Sequence, residues 1–355
     1  MTHTHAFEVC LPTNDLAADL DFFSNVLGLQ LDTIFPADDP IVATLSGHGL
    51  RIRLDRHADV PAGVLRLLSD APDSVARGRR ELIAPNGVRI LIVDAVEPMH
   101  MPRTEHAFVV RRLKDNTPWV IGRAGMQYRD LIPGRLGGSI IASHIRIPDA
   151  GPVPDMVHYH TVGFQLIYCY QGWVRLVYED QGPDFVLAAG DCVIQPPQIR
   201  HRVLEASENL QVVEIGVPAE HVTTVDHDMT LPNGTHNPNR DFGGQRFRRS
   251  EAKDAVWTPS RLSGFDMRET GIAAATNGVA SVQVLRARDS RERQESRHPC
   301  DIFFTFVLSG AVTLEGGSHG VHELTEGDAF VIPPGVPYAL TGASADLELL
   351  EVSLL

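Results

Sequence analysis

The 355-residue chain is poor in cysteine, in long apolar runs and in basic charge. Its four cysteines, Cys10, Cys169, Cys192 and Cys300, lie far apart with no C-x-x-C spacing. That argues against a disulfide framework and against a thiolate zinc site. No apolar stretch approaches the ~18–20 residues that span a bilayer. The opening M-T-H-T-H-A-F-E-V-C lacks the basic-then-apolar pattern of a secretory signal. These absences lead to the expectation of a cytoplasmic protein with no membrane partner. The formal net charge of −14 speaks against a nucleic-acid partner and against an anionic membrane surface. A small anionic substrate held by a few local arginines stays compatible with it.

What is abundant is turn chemistry. Thirty glycines and 24 prolines indicate a β-rich architecture, and the length suits two or three domains. Near the N-terminus A-F-E-V-C-L alternates as a strand. Asn14 or Asp15 can cap a helix whose Leu16, Leu20, Phe23 and Leu27 fall on one face, with Gly28 ending it. The segments I-V-A-T-L and L-R-I-R-L-D read as strands joined by S-G-H-G, and R-E-L-I-A-P-N-G-V-R-I-L-I-V-D reads as a hairpin with Pro-Asn-Gly at its tip. Residues 98–120 mix Pro, Met, His and charge, as a linker would. From about 121 short strands alternate with Gly/Pro/Asn/Asp turns at roughly ten-residue spacing, as in a sandwich or barrel. Residues 221–255 lack apolar periodicity and read as a polar connector, with His221, His227 and His236 facing solvent.

An internal repeat organises the second part of the chain. G-D-C-V-I-Q-P-P-Q-I-R-H (190–201) matches G-D-A-F-V-I-P-P-G-V-P-Y (327–338) without a gap, and Gly172 corresponds to Gly310. The first copy carries His158-Tyr-His160, four residues, Gln165, six residues, Gly172. It then carries Gly190, five residues, Pro196-Pro-Gln198, two residues, His201. Strand residues i and i+2 share a face, so His158 and His160 project together. Three imidazoles and an amide oxygen can converge on one ion.

This repeat resembles the cupin family, whose first motif is His-x-His…Glu…Gly and whose second is Gly…Pro-x-Gly…His. Two departures stand out: Gln165 in place of the glutamate and Gln198 in place of the glycine. The resemblance covers about 121–355. It implies two tandem jelly-roll barrels and one divalent transition metal (Fe, Ni, Zn, Mn or Cu) held by His158, His160, Gln165 and His201, with positions open to substrate. A neutral Gln165 leaves the ion more electrophilic and less tightly held than a glutamate would. Some cupins that open or isomerise sugar acids resemble this His-His-Gln-His set; three-histidine cupins that use iron and dioxygen are the other analogy. In the second copy Ser296, His298, Phe303 and Tyr338 stand where His158, His160, Gln165 and His201 stand, which implies a degenerate site with a structural or sensing role.

The N-terminal helix with its aromatic pair and L-G-L, followed by A-P-N-G-V-R-I-L-I, resembles one module of the vicinal-oxygen-chelate (glyoxalase-like) family. That family's ligands would fall near Glu8 and Asp55, and a dimerisation or lid role is implied rather than a second active site.

The resulting expectation is a mostly β protein: a glyoxalase-like α+β module (1–97), a linker (98–120), a first cupin barrel with the metal site (121–220), a polar connector (221–255) and a second, degenerate barrel (256–355). Arg146 is a candidate carboxylate anchor. His144, Cys169 and Tyr128 are further pocket candidates, and Arg129, Arg175 and Arg200 cannot be ranked. The function expected is a metal-dependent enzyme on a small anionic or oxygen-rich metabolite, a dioxygenase ahead of a sugar-acid lyase or isomerase. The competing class is a non-catalytic small-molecule-binding cupin. A homodimer is the default assembly.

Overall fold

The computed structural model describes residues 5–355 except 14, 27–28, 48–49, 59–63, 75, 84–88, 97, 116–117, 123–124 and 289–292. The chain is mostly β and divides into two compact units: Met1–His100 with His158–Thr161 and His221–Asp228, and Met101–Val157 with Val162–Glu220 and Met229–Leu355. No helix among the described residues is long and apolar enough to cross a membrane.

In the first unit the helix forms at Leu16–Asp21 and widens into a π-turn at Phe22–Val26. Asp15 caps it, its Oδ1 accepting from the Ala18 N–H at 3.0 Å. Gly28 and the Pro-Asn-Gly tip lie outside the described residues, but the flanking strands Glu81–Ile83 and Arg89–Asp94 pair antiparallel as the hairpin pattern requires. The sheet runs His158–His160, Thr223–Val225, Gln30–Phe35, Val42–Gly47, Leu50–Asp55, His5–Pro12, Val64–Ser69, Arg89–Asp94, Glu81–Ile83. Leu16, Leu29, Ala43, Leu45, Ile52 and Leu54 form its core.

The second unit holds the repeat as two jelly-roll halves of matching layout. Each half has an apolar core of its own. A third core, with Leu166, Tyr168, Val213 and Ile215 from the first half and Val284, Phe304, Phe306 and Val352 from the second, fills the seam between them. The segments that looked like linkers complete the sheets crosswise. Val109–Arg111, which precedes the first half, pairs with Ala329–Val331 of the second. Arg248–Ser250, which precedes the second half, pairs with Cys192–Ile194 of the first. Three-residue strands are too short to show an alternation, which is why these segments read as irregular.

The G-D dipeptides of the repeat fasten this exchange. Asp191 closes its own turn by accepting from Ala188 N–H (3.1 Å) and holds the incoming strand by accepting from Ala252 N–H (2.7 Å). Asp328 does the same with Thr325 (2.9 Å) and Leu113 (2.8 Å). The preceding glycine carbonyls are gripped from across the seam: Arg129 Nη2 donates to Gly327 O at 2.6 Å, and Arg268 Nη2 to Gly190 O at 2.8 Å.

Gly172 and Gly310 both sit in the left-handed region, at φ 77° and 75°. A Cβ on Gly310 would lie 2.8 Å from the backbone N and Cα of Leu347. Gly310→Ala is therefore expected to destabilise the fold by roughly 1–3 kcal/mol through combined strain and overlap, read as a lowered midpoint in thermal unfolding.

Candidate metal centre

His158 and His160 lie on the three-residue strand that pairs with Thr223–Val225, with His160 opposite Thr223. Both are buried, as is His201 at the start of strand His201–Ala206. The three histidines each offer a ligand atom, and these atoms lie within 4.8 Å of one another. Among the described residues this is the group of His, Cys, Asp or Glu side chains so arranged.

Outer partners set the ring nitrogens. The Ile199 carbonyl can only accept, so His201 Nδ1–H donates to it (3.0 Å) and Nε2 keeps its lone pair. His160 Nδ1 lies 2.9 Å from Thr223 Oγ1; a proton donated there likewise leaves Nε2 as the ligand atom. The Tyr178 ring stacks on His201 at 5.5 Å and its hydroxyl accepts from Gln195 Nε2 at 2.9 Å.

Gln165 is 1% exposed, on strand Phe164–Gln171. Its Nε2 donates to Glu214 Oε1 at 2.5 Å. A flipped amide would set two acceptors against each other, so Glu214 forces Oε1 to the other side, where it is buried without a hydrogen-bond partner among the described residues. An orphaned buried acceptor costs about 1–3 kcal/mol, and a cation would relieve it. The donors present, three imidazoles and this oxygen, suit a divalent transition metal.

The second half shows the same framework differently filled. By sheet register, Glu351 is the counterpart of Glu214 and Phe303 of Gln165. His298 donates Nε2–H to Ile332 O at 2.9 Å and stacks on Phe303 at 4.5 Å. Arg261 enters this space: it bonds Glu351 (2.9 Å) and Ser296 (3.1 Å), with its guanidinium 5.4 Å from the centre of the Phe303 ring. A fixed side-chain cation thus occupies the degenerate copy.

The other sequence candidates are engaged elsewhere. Tyr128 and Cys169 belong to the apolar core of the first half, and burial pushes the Cys169 thiol up to about 12. Arg146 spends its guanidinium on Gln127 Oε1 (2.6 Å from Nη2) and on the Trp119 ring (4.7 Å). Arg175 pairs with Asp184 and Glu205. Glu8, 1% exposed, is matched by Arg66 (2.9 Å) and Arg51 (3.1 Å), while Asp55 accepts from Arg53 Nε at 3.2 Å. His221, expected at the surface, is buried with its ring 5.4 Å from that of His160, edge to face. Sequence reasoning missed His221, Thr223 and Glu214. The only available signal was the T-T-V alternation at 223–225, too short to weigh.

His144 accepts from Arg129 Nη2 at 3.1 Å and so donates Nε2–H to Gln211 at 2.6 Å; both nitrogens are spent. Burial, reinforced by the Arg129 charge, lowers its pKa from 6.5 to about 4. The unfolded chain then takes up a proton that the native state refuses, so stability rises with pH across that window and is lost as pH falls through it, by up to about 3 kcal/mol. Equilibrium unfolding at about pH 7 and about pH 4.5 should show this loss, and His144→Gln should flatten it.

Residues 286–353, within the second half, match the family model described as Cupin domain. No curated protein matches the chain in sequence. Among solved structures, the salicylate 1,2-dioxygenase of Pseudaminobacter salicylatoxidans superposes with a TM-score of 0.52 at 16% identity, over 72% of this chain and 86% of that one. A variant of that dioxygenase in complex with gentisate gives 0.51 at 15%, over 71% and 83%. A variant of the Bacillus subtilis oxalate decarboxylase OxdC gives 0.51 at 12%, over 71% and 79%. At these identities the likeness establishes the cupin fold.

Proposed function

We propose that the chain is a metal-dependent cupin enzyme acting on a small anionic or oxygen-rich metabolite, a dioxygenase in first preference. One divalent transition metal would be held by His158, His160, His201 and the Gln165 oxygen. The observation that carries this reading is the buried three-histidine group, its ligand atoms within 4.8 Å of one another. When bound, such a metal supplies Lewis acidity and, as iron, a centre for dioxygen chemistry.

The chain's own residues prepare that centre. Ile199 O and Thr223 Oγ1 hold two imidazoles with Nε2 outward. Glu214 holds Gln165 with its oxygen outward, and its carboxylate polarises the amide. The negative charge that a glutamate ligand would place on the metal is thereby moved one hydrogen bond away. In the degenerate copy the equivalent Glu351 faces the Arg261 guanidinium; in the first copy a bound metal would be that cation's counterpart.

The likeness to both a dioxygenase and a decarboxylase keeps an oxygen-independent lyase as the second reading. Its support is the neutral Gln165, which leaves the ion a stronger Lewis acid.

Purified protein is expected to carry one divalent metal ion per chain by elemental analysis, and His160→Ala to lose it. Full metal content in His160→Ala would sink the ligand assignment. Glu214→Gln should weaken metal affinity roughly 10–100-fold in a chelator competition, and Gln165→Glu should strengthen it. Oxygen uptake with candidate hydroxylated carboxylates separates the two enzymatic readings: turnover without oxygen consumption selects the lyase.

A further inference from the structure

The seam between the jelly-roll halves is built twice, once around Arg129 and once around Arg268, and one copy is full while the other is hollow. Around Arg129 the rings of His144, Tyr170 and Phe306 pack edge to face, with centroids 5.1–5.7 Å apart, and His144 accepts from the guanidinium. Around Arg268 the sheet register puts Val284 where the first half has His144, and Leu308 where it has Tyr170. The outer rim is kept: Arg286 covers Trp257 at 4.1 Å as Arg146 covers Trp119.

Losing an imidazole and a phenol leaves two consequences. A cavity of about 430 Å³ opens, with Tyr168, Trp257, Arg268, Arg286, Leu308 and Glu348 in its lining. Arg268 is 3% exposed and donates Nη2 to Gly190 O, but the imidazole acceptor that His144 gives Arg129 Nη2 has no counterpart at Val284; Nη1 of both arginines is buried with no hydrogen-bond partner among the described residues. A guanidinium held this deep strongly favours an acceptor.

We propose that this cavity is a binding site for a small monocarboxylate with a flat apolar body. The carboxylate replaces the acceptor that Val284 cannot supply, and the body replaces the ring that Leu308 lacks. Tyr168 adds a phenol that burial keeps protonated, hence a donor. Glu348 stands opposite Arg286 on the neighbouring strand, so the lining sets two guanidinium groups, Arg268 and Arg286, against one carboxylate. The smaller hollow on the other side of Arg268, about 260 Å³, sets Arg248, Arg249 and Arg268 against Glu251, Asp254 and Glu269 and is charge-balanced, so an anion prefers the larger. Tyr168 and Gln165 are of opposite parity on strand Phe164–Gln171 and face opposite sides of the sheet. This site is therefore separate from the metal centre and does not depend on it.

Trp257, in the lining, is the reporter. Benzoate titrated into the full-length protein, stripped of metal with a chelator, should give a saturable change in tryptophan fluorescence, and the neutral benzamide should not. Leu308→Tyr, which copies the filled half of the seam, and Arg268→Lys should each raise the half-saturating benzoate concentration about tenfold or more, with unfolding midpoints reported alongside. His160→Ala should leave the titration unchanged. A flat wild-type titration would overturn the proposal, as would a Leu308→Tyr protein that still folds and binds as the wild type does, or binding lost in His160→Ala.

Discussion

The second unit depends on a reciprocal strand exchange fastened at two G-D turns. Each jelly-roll half lacks an edge strand until the segment preceding the other half supplies it. Each aspartate both closes its turn and holds the borrowed strand, and each neighbouring glycine carbonyl is gripped by an arginine from across the seam. Neither half satisfies its own edge backbone groups, so the halves stand or unfold together. The apolar seam core adds the non-directional part of the same coupling.

Once two copies of one framework are locked face to face, their differences become chemistry. Glu214 in the first copy orients the Gln165 amide; Glu351 in the second is matched by Arg261, and that copy holds a fixed cation. Across the seam the asymmetry runs the other way: His144 and Tyr170 fill the first copy, while Val284 and Leu308 leave the second open. The fold thus gives each half one filled and one available position, on opposite faces of its sheets.

Much of this was legible early. His158, His160 and His201 could be singled out because strand parity and family spacing are properties of the chain itself. Asp15 as a helix cap and the strands flanking the Pro-Asn-Gly hairpin were legible for the same local reason. Arg146 and His144 were harder: alternation with Ile145 and Ile147 shows that they share a face, but not that this face meets Trp119, Tyr170 and Phe306 rather than a pocket. His221 was misjudged as solvent-facing because the polarity of 221–255 is an average, and a single buried histidine does not alter it.

The sequence by itself determined the β-rich class, the two copies, the parity of the paired histidines and the loss of ligands in the second copy, because each follows from local periodicity and from comparison of the chain with itself. Only the tertiary structure decided which segments complete which sheet, that Glu214 turns Gln165 outward, that Arg261 fills the degenerate copy, and that Arg268 borders a hollow. Those are contacts between residues from 35 to more than 200 positions apart, and their partners are set by register and burial that no local pattern encodes.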